Sequence, residues 1–250
     1  MERLQNKPYR GPSSLKPSAW DILLPISLVL FVFLQYRQTL NNSWVADDPM
    51  ILRFAINYRP WQYFFIPDVW REFSAANFTP WSVLSFDIDY WAWGLSPYAF
   101  YIHHLFSLCL MSAIAFYVLK QWLTGILSFL SVFLFTISPP FAESAQMLMM
   151  RHYIEGMVFV LLSLYLYVKA VRKMSIPYIV LAAVFYLLAC LSKEIYAPLV
   201  FVILLIPAGN WRKRLRFMST FILIVALYII WRWLMLGRLL GGYGLPLVWP

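Results

Sequence analysis

Charge is what this sequence has least of. Only 12% of its 250 residues are Asp, Glu, Lys or Arg, while 62% are hydrophobic and 19% aromatic; an ordinary soluble domain carries about 25% charged residues. So little charge excludes a soluble globular chain, whose single core could not hide this much apolar surface. Cysteine is also sparse. Cys109 and Cys190 both lie inside apolar runs, where a thiol is a small buried hydrophobe, and a disulfide framework is excluded. No small-residue cleavage site follows the first apolar segment, so that segment reads as an uncleaved anchor rather than a signal peptide. There is no internal repeat. The net charge of +9 would suggest nucleic acid in a soluble protein, but the basic residues gather in short stretches between apolar segments, where membrane topology explains them. No nucleic-acid partner is expected.

What is there is a succession of apolar blocks. A lipid core needs about 20 apolar residues per helix, somewhat fewer when aromatics anchor the ends. That ruler predicts an all-α, polytopic membrane helix bundle of about seven spans: Trp20–Tyr36, Ala99–Leu119, Leu123–Ile137, Tyr153–Val168, Ile176–Leu191, Ile195–Pro207 and Phe217–Leu236. The third and sixth are short and read equally as re-entrant segments. Residues 1–19 form a basic N-terminal segment (Arg3, Lys7, Arg10, Lys16) and residues 20–250 the membrane domain, with a long external loop over 38–98. A cytoplasmic N-terminus puts Lys120, Lys169, Arg172, Lys173, Arg212, Lys213, Arg214 and Arg216 on the same side, satisfying the positive-inside rule. All acids except Glu2 and Asp21 then fall on or toward the opposite face. The rule says little about acids. A site and a long polar loop are the two explanations.

Several constellations sit on that outer face. Ala46-Asp47-Asp48-Pro49 follows the first span; adjacent carboxylates repel unless a cation, a metal or a raised pKa compensates, and each of those also belongs to acid/base sites. An Asp before Pro is also an ordinary helix cap. Pro60 to Phe65 and Trp70 to Phe73 mix aromatics with sparse charge and predict one or two interfacial helices. Asp87 and Asp89 share a face only in an extended chain; on a helix they point apart. His103 and His104 lack the i, i+4 spacing of a metal-binding helix, and read as interfacial hydrogen-bonding residues or as contributors to a metal with Asp47 or Glu143. Were helix to run on from Ala142, Glu143, Met147 and Arg151 would share a stripe, with Arg151 reaching Glu155 one turn on. Charges entering a bilayer face a cavity or form a buried pair. Lys193 and Glu194 sit at an external turn, where a lysine either snorkels or, near carboxylates, suits a phosphate-bearing ligand.

These pieces in this order resemble the GT-C superfamily of membrane glycosyltransferases, in the branch holding protein O-mannosyltransferases and aminoarabinose transferases. The resemblance is carried by Asp47-Asp48, Asn77-Phe78-Thr79-Pro80, Phe86-Asp87-Ile88-Asp89-Tyr90, Gly94-Leu95-Ser96-Pro97 before His103-His104, then Pro140, Glu143, Arg151 and Leu191-Ser192-Lys193-Glu194, over about residues 20 to 207. It implies a polyprenyl-phosphate-linked sugar as donor, an unidentified protein, lipid or glycan as acceptor, and inversion by a single displacement. It implies Asp47 as general base with Asp48 beside it. Arg151 and Lys193 would serve the departing phosphate, with His103 or His104 as lesser candidates and Glu194 at the same turn, while Glu143 would orient a base, the acceptor or a possible divalent metal. Members of the family are usually longer, with more helices, so a second chain completing the enzyme is one expectation. The alternatives are a non-catalytic scaffold of the same fold and a transporter or flippase. Localisation is expected in a bacterial inner membrane or the endoplasmic reticulum membrane. Asn41-Asn42-Ser43 and Asn77-Phe78-Thr79 match the glycosylation pattern without distinguishing them.

Overall fold

A computed structural model of the chain describes residues 18–238. Every regular element among them is helical. The first helix, α1 (Trp20–Tyr36), has the bounds its apolar run predicts and tightens into a 3-10 turn over Arg37–Asn41. The segment 38–98, expected as a loop with one or two interfacial helices, instead folds into four short helices: α2 (Asp48–Asn57), α3 (Pro60–Phe65), α4 (Pro67–Phe73) and α5 (Pro80–Trp93). Proline explains the punctuation. Each of the four has Pro in its first turn, where its fixed φ suits the helix and its missing N–H has no partner to lose.

The rest of the chain runs back and forth. It forms α6 (Pro97–Leu119), α7 (Gly125–Thr136), α8 (Pro139–Gln146), a 3-10 turn at Leu148–Met150, α9 (Arg151–Lys173), α10 (Ile176–Ser192), a 3-10 turn at Glu194–Tyr196, α11 (Leu199–Leu205) and α12 (Trp211–Leu236). Four stretches are long and apolar enough to cross a membrane: Trp20–Asn41, Pro97–Leu119, Leu148–Lys173 and Trp211–Leu236. A fifth is added if α7 and α8, bent by 60° at Ile137-Ser138, are taken as one. Ile176–Ser192 and Glu194–Leu205 are apolar but shorter. The two spans expected to be short are thus the ones that bend or shrink.

Helices α9 and α10 pack closely because small residues let them. Gly156 faces Tyr196 and Ser192, and Ser163 Oγ donates to Ala182 O at 2.8 Å. Close approach over small residues, with a hydroxyl bonded across, is a common device of helix pairs in lipid. Buried Tyr167, Tyr186, Phe221 and Tyr228 fill the space between α9, α10 and α12. A second apolar cluster, with Val32, Leu108 and Val158, joins α1, α6 and α9. The remaining faces of α1 and α12 leave Leu30, Leu34, Ile222, Leu227 and Ile230 exposed, as lipid would require.

Acidic residues segregate along the bundle, whereas basic residues stand at both ends. At one end Lys120 pairs with Asp21, Arg172 donates to Gln121 Oε1 (2.6 Å), and Arg214 donates to the carbonyls of Leu204 (3.0 Å) and Ile206 (2.9 Å). The other end, built from α2–α5, α8 and the adjoining ends of α6, α9, α10 and α12, holds every other acid among the described residues.

Candidate functional site

The acidic end carries a cleft, a buried ionic network and a clamp. The cleft begins with backbone geometry. Ala46 has φ +49°, a left-handed conformation uncommon outside glycine, and it turns the chain so that consecutive aspartates part. Asp47 is exposed, whereas Asp48 is fully buried with Oδ2 accepting from Val45 N at 2.9 Å. Asp47 lines a cavity of about 90 Å³ together with Ser74, Asn77, Thr79, His152 and Lys193. Lys193 leaves the end of α10 in an extended conformation (φ −156°) and rests its Nζ 4.8 Å from the centre of the Tyr153 ring. Two of the residues singled out in the sequence, 146 positions apart, therefore share one cleft. Burial pushes the Asp48 carboxyl above its ordinary value, and Asp47 adds to the rise, against backbone N–H groups of Val45 and Met149 and the charge of Arg151, which hold it down.

Behind the cleft lies the network. Arg151 (1% exposed) and Asp89 (0%) form an ion pair at 2.6 Å. The same guanidinium donates to Phe100 O (2.6 Å) and Ser85 Oγ (3.3 Å) and lies 4.9 Å from the Phe86 ring centre. His103 bridges two carboxylates: Nδ1 is 2.8 Å from Asp89 and Nε2 3.4 Å from Glu155. Glu155 in turn accepts from Trp81 Nε1 and Ser85 Oγ, both at 2.7 Å. Only the Nε of Arg151 lacks a partner in this network, and charges bonded to several elements at once hold those elements in place. Arg151, expected to receive the phosphate, is instead committed to α5 and α6, and its stripe with Glu143 does not form. Helix α8 ends at Gln146, and the chain breaks through Met147 and a 3-10 turn before α9 starts at Arg151 itself. Its acidic partner is Asp89 rather than Glu155.

The clamp joins the 3-10 turn after α10 to α12. Arg232, 4% exposed near the C-terminal end of α12, donates from Nε to Glu194 Oε1 (2.7 Å) and from NH2 to Ala76 O (2.9 Å). Glu194 Oε1 also accepts from Phe78 N (2.8 Å), and Tyr228 donates to Phe78 O (2.9 Å). This holds residues 76–78, one wall of the cleft, in place, and Glu194 acts through that wall rather than facing the ligand space. His104 is buried with Nε2 2.8 Å from Ser144 O, tying α6 to α8, and Glu143 is exposed on α8 away from the cleft. On α5, Asp87 and Asp89 do point apart. Asp87 accepts from Tyr63 OH at 3.2 Å, and burial raises its carboxyl pKa despite that bond.

Sequence reasoning passed over Arg232, whose partner lies 38 residues away, and treated Glu155 only as a neighbour of Arg151. The signal available was the rarity of a charge within an apolar run. His152 gave the same signal. Among the described residues no group of three His, Cys, Asp or Glu converges to hold a metal ion. No family model matches the chain, and neither does any curated protein or solved structure.

Proposed function

We propose that the chain is a membrane-embedded glycosyltransferase that takes a sugar from a polyprenyl-phosphate donor at the acidic end of the bundle and passes it, with inversion, to an acceptor hydroxyl. The observation that carries this reading is the shared cleft: an exposed carboxylate on Asp47 and an ammonium on Lys193 line one space, with the neutral polar groups of Ser74, Asn77 and Thr79 beside them. Asp47 takes the acceptor proton as the new bond forms at the anomeric carbon, and Lys193 stabilises the phosphate as its bond to that carbon breaks. The cleft admits the phosphate and one edge of the sugar. The polyprenyl chain lies in lipid against the apolar helix faces.

In this reading the chain crosses the bilayer seven times, with α7 and α11 as short crossings and the N-terminus in the cytoplasm. The basic cluster at the other end supports that orientation. A second reading, a non-catalytic scaffold of the same architecture, is favoured by the mutual pairing of Arg151, Asp89, His103 and Glu155 behind the cleft.

The test is titration of the purified chain in nanodiscs with undecaprenyl phosphate or dolichyl phosphate while following thermal unfolding. A ligand of the folded state stabilises it by about 2.7 kcal/mol at one hundred times its Kd. Saturable stabilisation that Lys193→Ala weakens about tenfold and Asp47→Asn keeps is expected. Absence of stabilisation by either lipid removes the transferase reading and leaves the scaffold.

A further inference from the structure

The acidic end holds a second concavity, separate from the cleft. Between the outer end of α1 with its 3-10 extension and the tilted helix α8 lies a basin of about 650 Å³, within the range of about 300–1,000 Å³ of small-molecule sites. Its lining is unlike the cleft's. Gln35, Gln38, Asn41, Asn42 and Gln146 contribute five carboxamides, with Tyr36 at the base and no charged side chain.

Two departures from straight helix make it. Helix α1 tightens at Arg37, and α8 swings 60° away from α7, which turns Gln146 toward Asn42. The floor is bonded in place: Asn42 Nδ2 donates to Gln146 O (3.3 Å), Tyr101 OH to the same carbonyl (3.1 Å), and Tyr36 OH to Thr136 O (2.6 Å). Those bonds use backbone carbonyls. The side-chain amides of Gln35, Gln38, Asn41 and Gln146 have no protein partner among the described residues and are exposed, so a fixed floor presents uncharged donors and acceptors that can exchange water for a ligand.

We propose that this basin binds a neutral polyhydroxylated ligand, the hydroxyl array of a sugar. A carboxamide offers an acceptor and two donors in one plane, which matches the donor–acceptor alternation of vicinal hydroxyls. A phosphate or carboxylate would meet no counter-charge here. The inference goes beyond the transfer reading and does not depend on it, since a chain with no transferase activity would bind the sugar equally.

Saturation-transfer NMR on the full chain in phosphatidylcholine nanodiscs, with no sugar detergent, tests it. The probes are mannobiose and maltose free in solution and the same sugars carried on a lipid in the disc, with inorganic phosphate, which has no carbon-bound proton to observe, added as a charged competitor that should leave the sugar signals unchanged. Saturable transfer from at least one sugar, weakened about tenfold or more in Gln38→Ala/Gln146→Ala and unchanged in Lys193→Ala, is the expected result. The free and lipid-borne arms tell a soluble glycan from a glycolipid headgroup. An unchanged unfolding temperature of the double variant, whose substituted residues are exposed, shows that binding rather than folding was altered. The proposal is overturned if neither source binds, if the double variant binds as the wild type does, or if Lys193→Ala abolishes binding and the double variant does not.

Discussion

Replacing Arg151 tests whether the buried network is a structural member or part of the ligand site. The guanidinium is 1% exposed, bonded to Asp89 and Phe100 O at 2.6 Å each and to Ser85 Oγ at 3.3 Å. Arg151→Met keeps much of the length and removes all three bonds, leaving Asp89 buried beside His103 alone. Breaking a buried pair from one side costs about 3–5 kcal/mol, because the remaining charge is uncompensated. Asp89→Leu strands the guanidinium and costs a similar amount. Together the two substitutions remove both charges, so the double variant falls short of the summed single costs by at least about 2 kcal/mol, within the range of coupled neighbours. Reversible unfolding in mixed micelles, followed by tryptophan fluorescence, measures all four corners of the cycle. Additivity within about 0.5 kcal/mol would refute the pairing. So would an Arg151→Met variant of wild-type stability that has lost lipid-phosphate binding, because that is the signature of a ligand-facing arginine.

Three further outcomes follow from the geometry. Asp48 has a folded pKa raised above the ordinary 3.8 by burial, so the folded state binds its proton more tightly than the unfolded state does. Its contribution to stability is greatest below pH 3.8 and is lost as pH rises through the raised value; Asp48→Asn should flatten that decline in a pH series of unfolding temperatures, and an unchanged slope counts against the assignment. Arg232→Met takes the counter-charge from Glu194, which keeps only the Phe78 N–H, and the donor from the carbonyl of Ala76; it is expected to cost about 3–5 kcal/mol and to weaken lipid-phosphate binding through the displaced wall, whereas a stable variant with full binding would separate the clamp from the cleft. Gly156→Ala drives a methyl into the Tyr196 ring and to 3.1 Å from Ser192 Cβ, an overpacking worth about 1–3 kcal/mol that Tyr196→Leu in the same chain should partly relieve.

The long helices were legible because lipid demands them in plain composition. Helix α1 begins and ends where its apolar run does, and α6, α9 and α12 each extend their predicted spans by a few residues. What periodicity could not see was interruption. Nothing in Met147 to Met150 announces a break, yet it decides that Arg151 faces α5 rather than Glu143. Local patterns also said little about partners. Asp89 and Arg151 are 62 residues apart, and Glu194 and Arg232 are 38 apart, so neither pair obeys any helical spacing. Asp47 and Lys193 stand out in sequence by residue type and expected membrane side, and the cleft they share depends on the extended residue that ends α10. The adjacent histidines illustrate the limit. One step along a helix rotates a side chain by about 100°, which sends His103 into the ionic network and His104 to a backbone carbonyl.

The brevity of α7 and α11 has a mechanical consequence. At about 1.5 Å per residue, the 12 residues of α7 span about 18 Å and the seven of α11 about 10 Å, against a hydrocarbon layer of about 30 Å. Were each to cross alone, as the proposed seven-crossing arrangement has it, the bilayer would have to thin toward them, at a cost of fractions of a kcal/mol per Å of mismatch. In that arrangement the protein would carry its own pinch of thinned membrane and accumulate where short acyl chains make that pinch easiest to form.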